Sequence, residues 1–223
     1  MFDLDDTGLA IIVPTHNREQ GFRRLMASHQ KHARTVPVHA IRHPSDDYDH
    51  PHVTMWESDA FPIGKCYRAV ADRIDARSYL FIDDDHSLLP EFSVEALRKA
   101  CHRHPVWSLP VRTDESERVI RDAAKCGGQL VRADVYDAAG RHGDDYLEDI
   151  ELSLRLSWNG TPPKRYPMKV TVHHTGTAGG LRDHPDVPEK ADAHNEVSEL
   201  ADRYECVERS SSSYYGFREV QRT

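Results

Sequence analysis

Three consecutive aspartates, Asp83 to Asp85, follow the apolar run Tyr79–Ile82. Such a run has the pattern of a buried strand, so the aspartates stand at its open end. Carboxylates held this close raise one another's pKa unless a cation compensates, and Mg²⁺ and Mn²⁺ take oxygen ligands of this kind. The alternative is a solvated acidic turn that caps the next helix. Because the group directly follows a strand, we favour a divalent-metal site.

A second acidic group, Glu148 and Asp149, opens the segment EDIELSLRLSWNG. Leucines alternate there as in a strand, but acids at the beginning and Asn159-Gly160 at the end are typical of helix ends. We therefore predict a helix from Asp149 to Trp158. A favourable interaction with the helix dipole explains one acid. The pair also supplies a carboxylate that can act as a general base and a neighbour that can orient a substrate hydroxyl.

The chain contains 15 histidines, and four of them lie near the ends of predicted strands: His16, His86, His173 and His174. Imidazole is a common ligand of transition metals, which raises the alternative of a metal-dependent hydrolase. None of the four forms an H-x-H or H-x-x-x-H pattern with another, so spacing does not support that alternative. For His16 and His86 we expect solvation in a loop or a backbone hydrogen bond.

Apolar runs alternate with segments of helical period along most of the chain. Strands are predicted at Leu9–Val13, Val36–Ile41, Val53–Trp56, Tyr79–Ile82, Val106–Val111 and Lys169–His173. Further helices are predicted at Arg18–Ala33, around Tyr67–Ile74, around Val94–Cys101 and at Val197–Tyr204. This order indicates an α/β fold with a mostly parallel sheet, helices on both faces and ligands beyond the carboxyl ends of the strands. About the last 15 residues show little pattern, and we expect them to be loosely held.

The composition disfavours several classes of protein. There are 29 Lys and Arg against 37 Asp and Glu, a net charge of -8, which makes nucleic acid an unlikely main partner. The 4 cysteines form neither a C-x-x-C pair nor a disulfide framework. The longest apolar run, Leu9–Val13, is far shorter than the roughly 20 residues that span a bilayer, and the N-terminus is acidic. We expect a cytoplasmic protein without a membrane span, and the sequence does not indicate an oligomeric state.

Three segments, in order, resemble glycosyltransferases of the GT-A fold, closest to the family 2 type of the nucleotide-diphospho-sugar transferase superfamily. They are IIVPTHNR, FIDDDHSLLP, and a Gly-Gly turn leading to LEDIELSLRLSWNG, so the resemblance runs from about Leu9 to about Thr177. It implies a Rossmann-like, three-layer α/β/α catalytic domain over residues 1–180, followed by a C-terminal helix and tail over residues 181–223. It also implies a nucleotide-diphosphate sugar donor, Mn²⁺ or Mg²⁺, and hexosyl transfer to an acceptor hydroxyl.

The resemblance assigns roles to both acidic groups. Asp85 matches the aspartate that contacts the metal bridging the donor phosphates, and Asp83 matches the one that reaches the ribose or the metal shell. Asp149 matches the catalytic base, and Glu148 matches the partner that orients the acceptor. One member of the pair His173-His174 resembles a further metal ligand of some members, and strand alternation turns only one of the two inward.

Departures from the family pattern concern the donor. No acidic residue directly follows Ile41, so only Asp46 or Asp47 could read the base. Lys65 or Arg68 replaces an Arg-Asn pair that members often carry, and Gly127-Gly128 resembles a small-residue turn beside the donor sugar. The full set expected to contact the donor is Pro14, Thr15, Asn17, Arg18, Asp47, Lys65, Arg68, Asp83, Asp84 and Gly128.

Together these parts predict direct displacement at the anomeric carbon with inversion, Asp149 taking the proton of the acceptor hydroxyl. A UDP-sugar is the favoured donor, and the acceptor is a glycan, a protein or a small molecule. The alternatives are a metal-dependent hydrolase or phosphatase and an inactive sugar-nucleotide-binding module. FDLDDT near the N-terminus resembles the nucleophile loop of haloacid-dehalogenase-like phosphatases, but only Met1 and Phe2 precede Asp3, where a buried strand is required.

Overall fold

The computed structural model describes residues 8–59, 63–109, 111–113, 116–120, 128–143, 148–167, 172–174, 206–208 and 217–220. The N-terminal FDLDDT motif lies outside these residues, as does the predicted helix Val197–Tyr204. No helix in the described ranges is both long enough and apolar enough to cross a membrane.

Strands and helices alternate over much of the first half of the chain, as predicted, and several strands follow one another farther on. The strands are β1 (Leu9–Thr15), β2 (Val38–Arg42), β3 (Thr54–Glu57), β4 (Ser78–Ile82), β5 (His86–Leu88), β6 (Val106–Ser108), β7 (Val111–Thr113), β8 (Ser116–Ile120), β9 (Gly128–Arg132), β10 (Lys164–Arg165), β11 (Val172–His174), β12 (Cys206–Glu208) and β13 (Phe217–Val220). The helices are α1 (Glu19–His32), α2 (Ile63–Ala71), α3 (Val94–Arg103), α4 (Ala133–Ala138) and α5 (Glu148–Trp158). The choice of helix over strand for the leucine-rich segment after Asp149 is confirmed.

A seven-stranded sheet forms the centre of the molecule, in the order β10-β6-β9-β4-β1-β2-β3. Strands β4, β1, β2 and β3 run parallel, and β10 runs parallel to β6. Strand β9 is antiparallel to both of its neighbours, β4 and β6. The prediction of a mostly parallel sheet is confirmed, and the parallel strands bring their carboxyl ends to one edge.

Helices cover both faces of this sheet, because side chains alternate along β1 between two cores. Leu9, Ile11 and Val13 face one core, which they share with Phe22 and other residues of α1 and with residues of α3. Ile12 faces the opposite core, which contains residues of α2, α4 and α5. The expected three-layer α/β/α arrangement is therefore confirmed.

A smaller, four-stranded sheet has the order β5-β11-β7-β8. Its first strand along the chain, β5, directly follows the three aspartates that come after β4. The predicted strand Val106–Val111 is wrong at its end, because its residues are divided between the two sheets. Strand β6 ends at Ser108, and Val111 belongs to β7 in the smaller sheet. Of the predicted strand Lys169–His173, Val172 and His173 belong to β11, and Lys169 lies outside the described residues.

The C-terminal region contains a third, two-stranded sheet. Strand β12 pairs with β13 in antiparallel fashion, and β13 lies beside α5. Phe217–Val220, in the tail that shows little pattern in the sequence, therefore forms a strand.

Candidate active site

The three aspartates lie where the ends of two neighbouring strands meet. β1 and β4 are parallel neighbours, with Ile12 opposite Phe81, so both deliver their last residues to the same edge of the sheet. Directly after β4 the chain turns, and the backbone N–H of His86 donates to the carbonyl oxygen of Asp83 at 3.3 Å. The turn presents Asp83, Asp84 and Asp85 in different directions, and each has different partners.

Asp83, Asp85 and His86 form a compact group of potential metal ligands. One ligand atom of each lies within 4.8 Å of the other two. Nδ1 of His86 is 2.9 Å from Oδ1 of Asp85, and both side chains are buried. Two carboxylate oxygens and an imidazole nitrogen at this spacing suit a single divalent cation. Burial raises the pKa of Asp83, and the like charge of Asp85 adds to the effect, whereas the charge on His86 opposes it.

His16 and His86, at the strand ends, are both buried, which excludes solvation in a loop, the first of the two alternatives expected for them. His86 is only 1% exposed and His16 only 6% exposed. Nδ1 of His16 lies 3.2 Å from Oδ2 of Asp46, and the amide of Asn17 donates to its Nε2 at 3.1 Å. A sequence pattern cannot show this burial, because it arises from β2 and its following loop packing across the end of β1.

Asp84 turns away from the metal-ligand group and toward β1. Its Oδ2 accepts from the hydroxyl of Thr15 at 2.7 Å, and its Oδ1 accepts from Nη1 of Arg18 at 3.2 Å. Burial raises the pKa of Asp84 to about 7, although both of these contacts oppose the rise. Thr15 also lies 2.7 Å from the hydroxyl of Tyr48, so the middle aspartate is part of a buried polar network.

Arg18 reaches into the aspartate group from the start of α1. Its Nη1 is 2.8 Å from Oδ2 of Asp85 and 3.2 Å from Oδ1 of Asp84. The turn before it requires Asn17 to adopt φ of 52°, a left-handed conformation that asparagine tolerates better than most residues. The backbone N–H of Asn17 donates to Oδ1 of Asp46 at 3.2 Å, which holds this turn in place.

The two candidate base-reading acids behave differently. The side chain of Asp46 is buried and is bonded to His16 and to the backbone of Asn17. Asp47 is exposed at the same edge. Pro14, the remaining residue predicted in the first loop, lies within β1 opposite Ile41, one residue before Thr15.

Tyr67 of α2 connects the aspartates with the second acidic group. Its hydroxyl donates to Oδ1 of Asp83 at 3.3 Å. Burial raises the pKa of Tyr67, and the charges of Asp83, Glu148 and Asp149 raise it further. All three carboxylates are therefore near this hydroxyl. The helical spacing of Tyr67 predicts only a place on the apolar face of a helix, and nothing in that spacing indicates that its hydroxyl contacts a polar site.

The second acidic group is positioned by the packing of α5. A Cβ on Gly64, near the start of α2, would lie 2.1 Å from the carbonyl oxygen of Gly143 and 3.0 Å from Cβ of Glu148. Only glycine permits α2 to approach Glu148 this closely. One turn into α5, the hydroxyl of Ser153 donates to the carbonyl oxygen of Asp149 at 2.8 Å. The same hydroxyl accepts from Nε2 of the buried Gln129 on β9 at 3.1 Å.

Known structures share this architecture, although no protein-family model and no curated protein sequence matches the chain. Residues 1–349 of S. aureus TarS, in complex with UDP-GlcNAc, match 88% of this chain and 66% of that one, with a TM-score of 0.69 and 15% identity. The mannosyltransferase PcManGT from Pyrobaculum calidifontis, in complex with GDP-Man and Mn²⁺, matches 89% of this chain and 63% of that one, with a TM-score of 0.62 and 12% identity. The chain has the GT-A fold. It spans less than two thirds of the length of these structures.

In this GT-A fold, Gly128 lies beside the aspartate turn. It begins β9 directly opposite Ile82, the last residue before Asp83, and it is buried. A Cβ at this position would lie 3.3 Å from the side chain of Leu109. Its predicted neighbour, Gly127, is outside the described residues. A glycine here keeps the end of β9 close to β4 without a side chain pressing on the turn.

The two cations predicted on α2 have different surroundings in the GT-A fold. Lys65 is half-buried in the first turn of the helix. Arg68 lies one turn later, and its positive charge lowers the pKa of both Tyr136 and His142. Its guanidinium is therefore near the core between α2 and α4.

Backbone register distinguishes the two histidines of β11. In the antiparallel pair of β11 with β5, His174 lies directly opposite His86, whereas His173 lies opposite Ser87. Residues directly opposite one another in an antiparallel pair share a face of the sheet. His174 thus shares its register position with a member of the candidate metal group, and His173 does not.

A cavity of about 580 Å³ lies at the other end of the strands, lined by residues that include Gly8, His39, Trp56, Arg73 and Arg77. Gly8 precedes β1, Arg77 precedes β4 and Arg73 follows α2, so the cavity lies at the opposite end of β1 from Thr15 and the aspartates. The convergence of carboxylates, imidazole and guanidinium, and not the size of a cavity, identifies the candidate active site at the carboxyl ends.

Proposed function

We propose that the protein is a metal-dependent glycosyltransferase that moves a hexosyl group from a nucleotide-diphosphate sugar to an acceptor hydroxyl. The observation that carries the proposal is the juxtaposition of Asp83, Asp85 and His86 at the end of β4 with Thr15 and Arg18 at the end of β1. Carboxylates for a cation lie there beside a guanidinium that suits phosphate. The structures with the same fold carry UDP-GlcNAc, or GDP-Man with Mn²⁺, which supports this class of donor.

The donor atoms of the candidate metal site favour Mn²⁺ over Mg²⁺. Asp83 and Asp85 offer carboxylate oxygens, which both cations accept, but His86 adds an imidazole nitrogen. Mg²⁺ prefers oxygen ligands and water, whereas transition metals bind imidazole readily. The cation, when bound, stabilises the negative charge that develops on the departing nucleoside diphosphate.

Of the two histidines on β11, we propose His174 as the additional metal ligand. The support is its register position opposite His86, which belongs to the candidate group, whereas His173 is opposite Ser87. His174→Ala is expected to weaken Mn²⁺ binding in the presence of UDP by roughly 10- to 100-fold, the cost typical of disturbing a metal site. His173→Ala is the matched control and is expected to leave that affinity unchanged. Equal losses in the two variants would contradict the assignment.

We propose Asp149 as the base that takes the proton of the acceptor hydroxyl while the new bond forms. This residue stands at the start of α5, and its charge acts on the hydroxyl of Tyr67, which bonds to Asp83. Tyr67 therefore connects the proposed base with the candidate metal site. Glu148, the neighbouring acid, orients the acceptor. Attack from the side opposite the leaving diphosphate gives inversion at the anomeric carbon.

A UDP-sugar is the proposed donor, with Asp47 as the acid available to the base. Asp46 already bonds to His16 and to the backbone of Asn17, so its oxygens serve the loop, while the exposed Asp47 lies beside it. Pro14, Thr15, Asn17 and Arg18 line the same edge, and Lys65, Arg68, Asp84 and Gly128 complete the proposed donor-binding set. The proposed acceptor is a glycan, a protein or a small molecule.

Thermal unfolding tests the proposal without knowledge of the acceptor. UDP-, GDP- and dTDP-sugars are compared, each with and without Mn²⁺, because a ligand that binds only the folded state raises Tm. We expect a UDP-sugar to raise Tm in the presence of Mn²⁺ and to have little effect without it. No stabilisation by any nucleotide-sugar would contradict the proposal.

Product analysis then separates the proposed transferase from its alternatives. A transferase releases the nucleoside diphosphate slowly without acceptor and faster with one. An inactive binding module is stabilised by donor but releases nothing, and a phosphatase cleaves the phosphate bonds and leaves the glycosidic bond intact.

A further inference from the structure

The guanidinium of Arg18 contacts one of the proposed metal ligands directly. Nη1 lies 2.8 Å from Oδ2 of Asp85 and 3.2 Å from Oδ1 of Asp84. All three side chains are largely buried, with exposed fractions of 12% for Arg18, 5% for Asp84 and 6% for Asp85. Solvent therefore screens this contact weakly.

A divalent cation at Asp83, Asp85 and His86 would share Asp85 with that guanidinium. The guanidinium remains charged at all ordinary pH values, so the two cations repel one another across a buried carboxylate. Either the cation binds weakly or Arg18 leaves Asp85. A bound diphosphate changes this balance, because its oxygens can accept hydrogen bonds from the N–H groups of Arg18 that no longer bond to Asp85.

The groups on both sides of Arg18 are held by hydrogen bonds of their own. The turn before Arg18 is held by the bond from the Asn17 N–H to Asp46, and Asp84 is held by Thr15 at 2.7 Å. If Arg18 rotates away from Asp85, Asp84 still offers it a fixed carboxylate. This gives a role to Asp84, which is buried and bonded beside Asp85 although it is not in the candidate metal-ligand group.

We propose that Arg18 couples the binding of the metal to the binding of the donor. In the metal-free protein Arg18 neutralises Asp85, and when a cation takes Asp85 the guanidinium pairs with the donor diphosphate, with Asp84 as its constant partner. The inference rests on the proposed function of this site. Linkage makes the effect reciprocal, so diphosphate strengthens metal binding by the same factor by which metal strengthens diphosphate binding.

Titration with Mn²⁺ tests this coupling. Free Mn²⁺ is measured by its electron paramagnetic resonance signal, with and without UDP, and corrected for the Mn²⁺–UDP complex formed in solution. For the wild-type protein we expect UDP to tighten Mn²⁺ binding by roughly 5- to 150-fold. For Arg18→Gln we expect Mn²⁺ alone to bind several-fold more tightly than to wild type, UDP to bind more weakly, and the coupling factor to fall several-fold, to the part that direct contact between Mn²⁺ and the diphosphate supplies.

Controls separate the effect of this guanidinium from general effects of charge. Arg23→Gln removes an exposed guanidinium of α1 that pairs with Glu19, and it should change neither Mn²⁺ affinity nor coupling. Arg18→Met, which keeps the apolar stem, should behave like Arg18→Gln. Because removal of Arg18 leaves Asp84 and Asp85 without their counter-charge, Mn²⁺ should also raise the Tm of either variant more than it raises the Tm of wild type.

Opposite changes in the two affinities are the decisive result. If Mn²⁺ binds the Arg18 variants no more tightly than wild type, or if their coupling factor equals that of wild type, the coupling role is wrong although the proposed function stands. If the wild-type protein binds neither Mn²⁺ nor UDP, the proposed function itself fails.

Discussion

The two acidic groups of the candidate site are held in different ways. In the aspartate turn, the carboxylates themselves are held by side chains of other elements: Thr15 and Arg18 contact Asp84, and Tyr67 contacts Asp83. At the start of α5, the backbone and the base of a side chain are held, because Ser153 donates to the carbonyl oxygen of Asp149 and Gly64 packs on Cβ of Glu148.

This difference matches the different tasks that we propose for the two groups. Ligands of a metal must converge before the cation arrives, so their carboxylates require fixed partners. A base must exchange a proton with an incoming hydroxyl, so the helix that carries the base must be fixed in position. Substitutions that disturb only one of the two groups test whether they are separate.

Asp149→Asn should have the largest effect on turnover. It removes the proposed base with little change of shape, so we expect transfer to fall by about 10²- to 10⁴-fold. The affinity for donor with Mn²⁺ should stay within about two-fold of wild type, since the aspartate turn is untouched. Steady-state transfer rates and donor titrations measure the two quantities, and Asp75→Asn, at an exposed position, is the matched control. Transfer near the wild-type rate would remove Asp149 from the mechanism.

Gly64→Ala should disturb the second group through its packing. Alanine in a helix is ordinarily more stable than glycine by up to about 1 kcal/mol. Here the added Cβ would meet the Gly143 carbonyl oxygen at 2.1 Å, so we expect the free energy of unfolding to fall by about 1–3 kcal/mol instead. Urea denaturation determines the sign of the change.

Gly160→Ala is the comparison for that substitution. Its φ of 78° makes alanine strained, but nothing lies within 4 Å of the added Cβ. Gly160→Ala should therefore lower stability without changing turnover, whereas Gly64→Ala should lower both. An increase in stability on Gly64→Ala would show that α2 does not press on Glu148.

His142 makes stability depend on pH, and its ring lies between α2 and β4. Burial, together with the charges of Arg155 and Arg68, lowers its pKa to about 3, and its ring packs 4.7 Å from that of Tyr67. The unfolded chain protonates this histidine below about pH 6.5, but the folded protein does so only near pH 3. Stability therefore falls as pH falls between these values, by about 1 kcal/mol per pH unit from this residue.

Urea denaturation at pH 7, 6 and 5 measures that slope. His142→Gln should have a shallower slope by the contribution of one histidine, whatever its stability at pH 7. The exposed His102 provides the control, since His102→Gln should leave the slope unchanged. An unchanged slope in His142→Gln would show that His142 is not held neutral.

Gln129→Leu should have the smallest effect. It removes the donor to Ser153, and a buried hydrogen bond of this kind contributes about 0.5–1.5 kcal/mol. We expect turnover to fall several-fold with Mn²⁺ affinity unchanged, and a double-mutant cycle with Ser153→Ala should give a coupling energy of similar size. If Gln129→Leu weakens Mn²⁺ binding as much as turnover, the two acidic groups are not held separately.

Periodicity predicts the long elements of the fold well. Helix α1, Glu19–His32, lies within one residue at each end of the predicted Arg18–Ala33, because apolar residues recur on one face through its whole length. Strand β5 has only three residues and no alternation of its own, and it exists because β11, far along the chain, pairs with it. Local patterns carry no information on such a pairing.

The acidic residues of the candidate site could be predicted from the sequence, but the contacts that support them could not. Asp83 and Asp85 follow a strand that the sequence shows clearly, so their location was predictable. The burial of His86 and the hydroxyl bond of Tyr67 depend on how loops and helices pack at the end of β4. These residue types have other common uses, in solvated loops and in apolar helix faces, and only tertiary packing distinguishes them.

Release of nucleoside diphosphate from a donor, measured with Mn²⁺ and with a chelator, tests the proposed site most directly. Wild type is compared with Asp85→Asn, which removes a ligand of the proposed metal group, and with Asp75→Asn as the surface control. We expect release by wild type and Asp75→Asn only with Mn²⁺, and none by Asp85→Asn under either condition. Release that persists in Asp85→Asn, or that does not respond to the chelator, would contradict a metal-dependent transferase centred on these aspartates.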